Sequence, residues 1–380
     1  MTIKQNKTHK IGVIALVILL AIMALLALCG LLALKKHKII LNYKDLGIPY
    51  LDVYTDEQLN SRLSFDMTVY EGKLYVGGGD YDANTGPVYV MSYNLESGSW
   101  EKSDEPLDDE QIKRYRVLGG KLVTLGTDPR EDWELGNYYL LGENGWETLR
   151  VLPSGIHCFD AIEWNGDLFF GLGVKAGSFP AARFDGENYT AVKFFKDGEM
   201  LDTSFNSIVR VYNFFEYKSK LFAFLTLDKT DQDGNTLYFM DLYVYDGEHF
   251  VFLHGSLPAC DLCDVITTDE SLFFVMNNTL LATNDLTQFK AVGLGEDVKA
   301  VDVIKQDGRV YALGWREVGK DKFEVSVFEE NDGAFTKCFG ILTRAAAGSF
   351  CKDGSNFYIS LGNRGDTAPD MGRVIKINLD

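Results

Sequence analysis

The 380-residue chain carries a formal net charge of −18 at pH 7, with 13% aromatic residues and only 8 prolines. Residues 39–380 hold 31 basic and 55 acidic side chains, a net charge of −24, which repels phosphate backbones and argues against nucleic-acid binding. The high aromatic and low proline content excludes a largely disordered chain and favours a globular domain rich in β-strands.

The N-terminal segment predicts a membrane anchor. Residues 11–34 form a run of 24 residues without a charge, and at 1.5 Å per residue such a helix crosses a hydrocarbon core about 30 Å thick. The run is too long for a signal-peptide core, and no small-residue cleavage site follows it. We therefore expect a short basic tail over 1–10, an uncleaved transmembrane signal anchor over 11–34 and a domain outside the cytoplasm.

A hairpin motif then recurs along the chain. It begins as Glu71-Gly72-Lys73-Leu74-Tyr75-Val76 and returns six more times, with the copies 38 to 53 residues apart. Repeats at this period are typical of propeller blades. The motif predicts an all-β, seven-bladed β-propeller.

An aromatic residue after a polar turn marks the outermost strand of each full repeat. Six such aromatics are present for seven repeats: Trp100, Trp146, Tyr189, Phe250, Phe289 and Phe335. The last repeat ends at Asp380 one strand short. We expect an N-terminal strand at about 39–46 to complete it and close a propeller over 39–380, because closure removes open sheet edges.

The first repeat resembles a kelch repeat, whose marks are a glycine doublet, a downstream tyrosine and a tryptophan that opens the last strand. The residues that carry the resemblance are Leu74-Tyr75-Val76-Gly77-Gly78, then Tyr93, then Gly98-Ser99-Trp100. It implies a kelch-like, galactose oxidase-type propeller over 65–380. The copper site of galactose oxidase has no matching motif, since the domain offers only His157, His249 and His254.

A polar ring is predicted where the innermost strands begin. Six residues before each hairpin anchor stand Asp66, Arg114, Asp160, Asn213, Asp264, Asp302 and Gly348. Carboxylates at a channel mouth attract calcium, another divalent cation or a basic side chain. We therefore take Asp66, Arg114, Asp160, Asp264 and Asp302 as candidate ligand-binding residues. The alternative is that each aspartate caps its own strand entry.

Softer metal ligands fall on the same connections. They are His157, Cys158, His254, Cys260 and Cys263, but their spacing matches no diagnostic zinc or copper motif. A disulfide between Cys338 and Cys351 is also conceivable for a domain outside the cell.

The function that these patterns favour is binding rather than catalysis. No nucleophile with its base and no phosphate loop stands out in the sequence, and the loop over 128–133 joins acids with Trp133. We expect a protein or glycan partner at the propeller mouth. The alternative is a propeller-type surface enzyme acting on glycans, either a glycosidase or a metal-dependent oxidase.

Overall fold

The computed structural model describes residues 38–230, 235–258, 264–363, 368 and 370–380, and five helical residues of the N-terminal segment. Those five are Leu19, Leu20, Ile22, Met23 and Leu25. The basic tail over 1–10 and the rest of the predicted transmembrane helix over 11–34 lie outside the described residues. Among the residues that are described, no helix is long and apolar enough to span a bilayer.

The described domain consists almost entirely of strands, as the composition predicts. Its helices are two short 3-10 turns, Leu59–Arg62 and Tyr81–Ala83. Antiparallel pairing groups the strands into successive four-stranded meanders, which we name A to G in chain order. Strand β1 (Lys44–Gly47) comes first in the chain and belongs to the last meander.

The first three meanders are continuous in sequence. Meander A comprises β2 (Met67–Tyr70), β3 (Lys73–Val76), β4 (Met91–Asn94) and β5 (Ser99–Lys102). Meander B comprises β6 (Asp109–Leu118), β7 (Lys121–Pro129), β8 (Leu135–Gly142) and β9 (Gly145–Pro153). Meander C comprises β10 (Gly155–Trp164), β11 (Asp167–Val174), β12 (Ala181–Phe184) and β13 (Tyr189–Ala191).

A small hairpin, β14 (Phe194–Lys196) and β15 (Glu199–Met200), precedes the remaining meanders. Meander D comprises β16 (Val209–Tyr217), β17 (Lys220–Thr230), β18 (Thr236–Tyr245) and β19 (Phe250–Pro258). Meander E comprises β20 (Ile266–Thr267), β21 (Leu272–Met276), β22 (Thr279–Thr283) and β23 (Lys290–Ala291). Meander F comprises β24 (Lys299–Gln306), β25 (Arg309–Gly319), β26 (Lys322–Asn331) and β27 (Ala334–Thr343). Meander G comprises β28 (Ala347–Asp353), β29 (Asn356–Leu361), β30 (Val374–Asn378) and β1.

The first strands of the meanders surround a central channel. Each contacts the first strand of the next meander, and β28 of meander G contacts β2 of meander A, so that the contacts close a cycle. The turns between first and second strands lie on one side, which we name the turn face. The loops between second and third strands, and the connections into the next first strand, lie on the opposite side, the loop face. Each first strand therefore begins at the loop face.

The N-terminal segment seals the seam between the last and first meanders. In β1, Lys44 pairs with Lys376 of β30 in an antiparallel register. Upstream, Ile39 forms a parallel bridge with Gly340 of β27. The buried side chains that follow, Leu46 and Tyr50, share one apolar cluster with Leu74, Tyr358 and Val374. One apolar cluster thus joins side chains from both ends of the domain.

The glycine doublet of the first repeat lies where two neighbours pack closely against the backbone. The fully buried Tyr50 donates its hydroxyl hydrogen bond to the carbonyl of Val76 at 3.1 Å. A Cβ on Gly78 would collide with the Tyr50 ring, and one on Gly77 would lie 2.6 Å from the carbonyl oxygen of Ile112. Glycine is required here because the backbone approaches two neighbours directly.

Some first strands begin earlier than the sequence pattern predicts. The ring positions Arg114 and Asp160 were predicted to begin their strands, whereas β6 begins at Asp109 and β10 at Gly155. A β-bulge interrupts each of these strands, between Ile112 and Tyr115 in β6 and between Cys158 and Asp160 in β10. The extra residue breaks the alternation of side chains, which hides the upstream half of the strand from periodicity analysis.

Candidate functional site

The structure brings the predicted ring residues into one polar network inside the channel. We name it the channel cluster; its members are Asp66, Arg114, Arg116, Asp160, Asp264 and Asp302. Arg114 lies within 3.4 Å of both Asp160 and Asp264, although these carboxylates belong to different parts of the chain. Of the other ring positions, Asn213 is buried and Gly348 is partly buried.

Asp66 links meander A to meander B. One carboxylate oxygen accepts the backbone N–H of Met67 at 2.8 Å, and the other accepts the N–H of Tyr115 at 2.7 Å. The side chain therefore caps its own strand and also fixes the first strand of the next meander. This geometry matches the capping alternative, extended across the interface between two meanders.

Two other aspartates also bond to the next meander, and one of them, Asp302, caps its own strand as well. Asp160 accepts the N–H of Phe214 in the next meander at 2.7 Å. Asp302 accepts the N–H of Val303 at 2.8 Å and that of Phe350, again in the next meander, at 3.4 Å. The recurrence of aspartate at this repeat position therefore has a structural cause, because each of these carboxylates accepts a backbone N–H at or next to a bulge in the first strand of the next meander.

Arg116 is the centre of the cluster, although it was not among the predicted ring residues. Its guanidinium donates to Asp160 at 2.9 Å and to both carboxylate oxygens of Asp264 at 2.7 and 3.3 Å. Asp160 is only 1% exposed, so the ion pair with Arg116 offsets part of the cost of burying this carboxylate. Arg116 stands two residues after the ring position of Arg114, and side chains two apart in a strand share a face. That spacing is the signal by which Arg116 was detectable.

The electrostatic environment gives the acids of the cluster different pKa values. Burial and the Asp264 charge raise the pKa of Asp66 to about 6. Burial, followed by the Asp264 and Asp66 charges, raises the pKa of Asp302 well above its ordinary value. Burial also opposes ionisation of Asp264, but Arg116 and Arg114 outweigh it and lower the pKa of that carboxyl. The two arginines therefore hold Asp264 ionised beside more weakly acidic neighbours.

A cavity of about 230 Å³ opens next to the cluster. Asp66, Arg116 and Asp264 line it, together with Lys305 and Lys352. Both lysines donate to backbone carbonyls, Lys305 to Thr267 at 2.9 Å and Lys352 to Gly354 at 2.5 Å. The cavity is thus polar and lies below the roughly 300–1,000 Å³ of typical small-molecule sites.

A divalent cation was one of the ligands that the sequence allowed for the ring. In the part of the chain that the structure describes, no group of three or more His, Cys, Asp or Glu side chains is arranged to hold a metal ion. His157 packs against the rings of Tyr81 and Phe159, with centroids 5.5 and 5.3 Å apart. His254 stacks on Phe289 at 6.2 Å. Cys260 and Cys263 lie outside the described residues.

The Cys338–Cys351 disulfide considered from the sequence is absent. Both residues are free thiols, as is Cys158. Cys338 lies in the fourth strand of meander F and Cys351 in the first strand of meander G, so one lies at the rim and the other beside the channel.

Comparisons with known proteins agree with the architecture. No family model and no curated protein matches the chain. A chain in the crystal structure of the Mitotic Checkpoint Complex, a WD40-like propeller, matches 90% of this chain and 95% of its own length at 12% identity and a TM-score of 0.51. A candidate 6-phosphogluconolactonase from Bacteroides uniformis covers 74% of this chain and 85% of its own, at 11% identity and a TM-score of 0.48. The first likeness confirms the all-β, propeller-type fold.

Proposed function

We propose that this chain is a membrane-anchored, seven-bladed, kelch-like β-propeller that binds a protein partner outside the cytoplasm. The observation that carries the proposal is that the charged side chains of the channel cluster already pair with one another or with backbone N–H groups. Arg116 is shared between Asp160 and Asp264, and Asp66 is occupied by two backbone donors. The charges inside the channel hold the meanders together, which leaves recognition to the loops at its rim.

Two features support the seven-bladed, kelch-like form. The first strands of meanders A to G contact one another in a cycle, and β1 completes meander G by pairing with β30. In meander A, the residues that carry the kelch resemblance lie after β3, for Gly77 and Gly78, and in β5, for Trp100. The structural neighbour was solved within a protein complex, which agrees with a protein rather than a glycan as the partner.

Membrane anchoring rests on the uncharged run over 11–34. The expected result is that the full chain sediments with membranes and resists extraction by high salt. Orientation is tested with a membrane-impermeant maleimide applied to intact cells that produce Glu248→Cys, because the Glu248 side chain is 83% exposed on the turn face. Labelling of Glu248→Cys beyond that of the natural chain supports an external domain. Labelling only after lysis contradicts it.

Protein binding is tested by site-specific photo-crosslinking in the same cells. Benzoylphenylalanine placed at Glu131, on the loop face with its side chain 56% exposed, is compared with the same residue at Glu248 on the turn face. We expect a discrete protein adduct from position 131 and none from position 248. No adduct at position 131, or the same adducts at both positions, contradicts the proposal.

A surface enzyme acting on glycans is the second candidate, and one observation favours it. Asp66 and Asp264 line the same cavity, with the pKa of the first raised to about 6 and that of the second lowered. A weak acid beside an ionised carboxylate is the pairing that glycosidases use. Hydrolysis of aryl glycosides that is lost in Asp66→Asn but kept in Asp202→Asn supports this candidate.

A further inference from the structure

An exposed aromatic surface lies on the loop face of meanders B to D. We name it the aromatic patch; it consists of Trp133, Phe205 and Tyr238, which are 47%, 91% and 48% exposed. Trp133 lies between β7 and β8, Phe205 precedes β16, and Tyr238 is in β18. Large apolar side chains that stay this exposed on neighbouring loops are typical of interaction sites.

Phe205 is exposed on a loop that its neighbours hold in place. Thr203 donates from its hydroxyl to the carbonyl of Ser178 at 3.1 Å, and the N–H of Asn206 donates to the carbonyl of Thr203 at 3.1 Å. Three residues after Phe205, the N–H of Ile208 donates to the carboxylate of Asp228 at 2.8 Å. The phenyl ring is thus presented on an ordered segment, which reduces the entropy lost when a partner binds.

Contacts between the loops make the patch continuous. The Lys175 ammonium lies 5.3 Å from the centroid of the Trp133 ring. Ser178, on the same loop as Lys175, accepts the hydrogen bond from Thr203. Farther along, the Asp228 that holds Ile208 is paired across the sheet with Tyr238. The three aromatics therefore belong to one connected surface.

The charge around the patch is predominantly negative. The segments 128–135, 175–180 and 201–208 carry five acids and two bases; the acids are Asp128, Glu131, Asp132, Glu134 and Asp202. Arg130 lies 4.0 Å from Asp108 and 3.8 Å from Glu110, and Lys175 lies over Trp133. A third base, Arg150 of β9, pairs with Glu131 at 2.9 Å and with Asp132 at 2.5 Å, so acids still outnumber bases around the patch. The excess negative charge favours a cationic occupant and disfavours a second copy of this acidic chain.

We propose that the aromatic patch binds a basic segment of the partner that also carries a large apolar side chain. This inference rests on the proposed function and specifies the partner of that function. The apolar side chain of the occupant packs against Phe205, while its Lys or Arg groups meet the carboxylates of 128–135 and the aromatic rings.

The test is a selection of displayed random peptides on the immobilised full-length chain. Enriched peptides are then measured by fluorescence polarisation against the natural chain, Phe205→Ser and Val117→Ser. Val117 is the matched control, because it is 52% exposed near the turn end of β6. Each measurement is repeated at low and high salt.

We expect enriched peptides that combine Lys or Arg with large apolar residues, bind at least about tenfold more weakly to Phe205→Ser, and weaken with salt. Val117→Ser should bind them as the natural chain does. Enrichment of acidic or uncharged peptides, no enrichment, or equal binding by both variants overturns the inference. If these outcomes occur while position 131 still yields a protein adduct, the patch is wrong and protein binding stands. If position 131 yields no adduct, the proposed function itself fails.

Discussion

The carboxylate of Asp66 accepts the backbone N–H of Tyr115 at 2.7 Å across 49 residues of sequence. The bond joins the first strands of meanders A and B at the bulge in β6. Asp160 and Phe214 repeat it between meanders C and D. A single side-chain type at one repeat position thus ties neighbouring sheets together.

Removing this link is expected to loosen one interface. Asp66→Ala leaves the N–H of Tyr115 without its acceptor, which typically costs about 1–3 kcal/mol. Hydrogen exchange followed by mass spectrometry should show faster exchange at Tyr115 and a lower free energy of unfolding. Asp202→Ala, on an exposed loop, is the control and should behave as the natural chain. Unchanged exchange at Tyr115 would contradict the linking role.

Loss of Arg116 is expected to be more severe. Arg116→Met leaves the buried Asp160 carboxylate with only the weaker 3.4 Å contact to Arg114 among the two arginines. Breaking a buried ion pair on one side costs about 3 kcal/mol or more, measured as the free energy of unfolding in urea. Arg309→Met removes the exposed pair with Glu329 and should change stability little. Equal effects of the two variants would argue against a structural role for the cluster.

Asp109 is expected to make the stability depend on pH. It is fully buried and accepts hydrogen bonds from Tyr139 and, at 2.9 Å, from Asn137. Burial, despite these two donors, raises its pKa to about 7. The folded chain therefore keeps a proton that the unfolded chain releases above pH 4, and this contribution to stability is lost as the pH rises from about 4 to about 7.

The measurement is the free energy of unfolding at a series of pH values for the natural chain and Asp109→Asn. A shift of about three pH units corresponds to at most about 4 kcal/mol. Asp109→Asn should reduce the decrease in the free energy of unfolding between pH 4 and 7. Part of that decrease should persist in both proteins, because the pKa values of Asp66 and Asp302 are also raised. Parallel curves for the two proteins would show that Asp109 does not titrate in this range.

Close packing at the glycine doublet predicts a contrast between two alanine substitutions. A Cβ on Gly78 meets the Tyr50 ring, whereas one on Gly142 has only the carbonyl oxygen of Gly145 at 3.5 Å. Gly78→Ala should lower stability by about 1–3 kcal/mol through overpacking. Gly142→Ala should leave the melting temperature within a degree or so of the natural value. Similar melting curves for both variants would contradict the packing.

Ring closure by the N-terminal strand remains a prediction that truncation tests. A chain that starts at Ile48 lacks β1, which exposes the edge of β30 and removes Leu46 from the cluster around Tyr50. Unpaired edges promote association, so we expect a lower melting temperature and oligomers by size-exclusion chromatography. A chain that starts at Lys38 keeps β1 and is the control. Equal behaviour of the two would show that β1 does not close the domain.

Much of the fold was predictable because it repeats. The hairpins, their glycine turns and aromatics such as Trp100 and Trp146 recur at a regular period. Such a repeat can be recognised in the sequence without knowledge of long-range contacts. The ring position was found in the same way, since Asp66, Asp160 and Asp302 align with each other. Arg116 was missed because it occurs in only one repeat and no repetition marks it.

The sequence by itself determined the all-β class, the hairpin positions and the recurrence of aspartate at one repeat position, because these depend on residues that are neighbours in the chain or recur at a regular spacing. Only the tertiary structure decided what those aspartates do. Their partners, Tyr115, Phe214 and Phe350, lie about one repeat further on, and Arg116 meets Asp264 across 148 residues. The exposure of Phe205 was likewise a tertiary result, because an aromatic residue in a loop is buried or exposed according to the surfaces that fold around it.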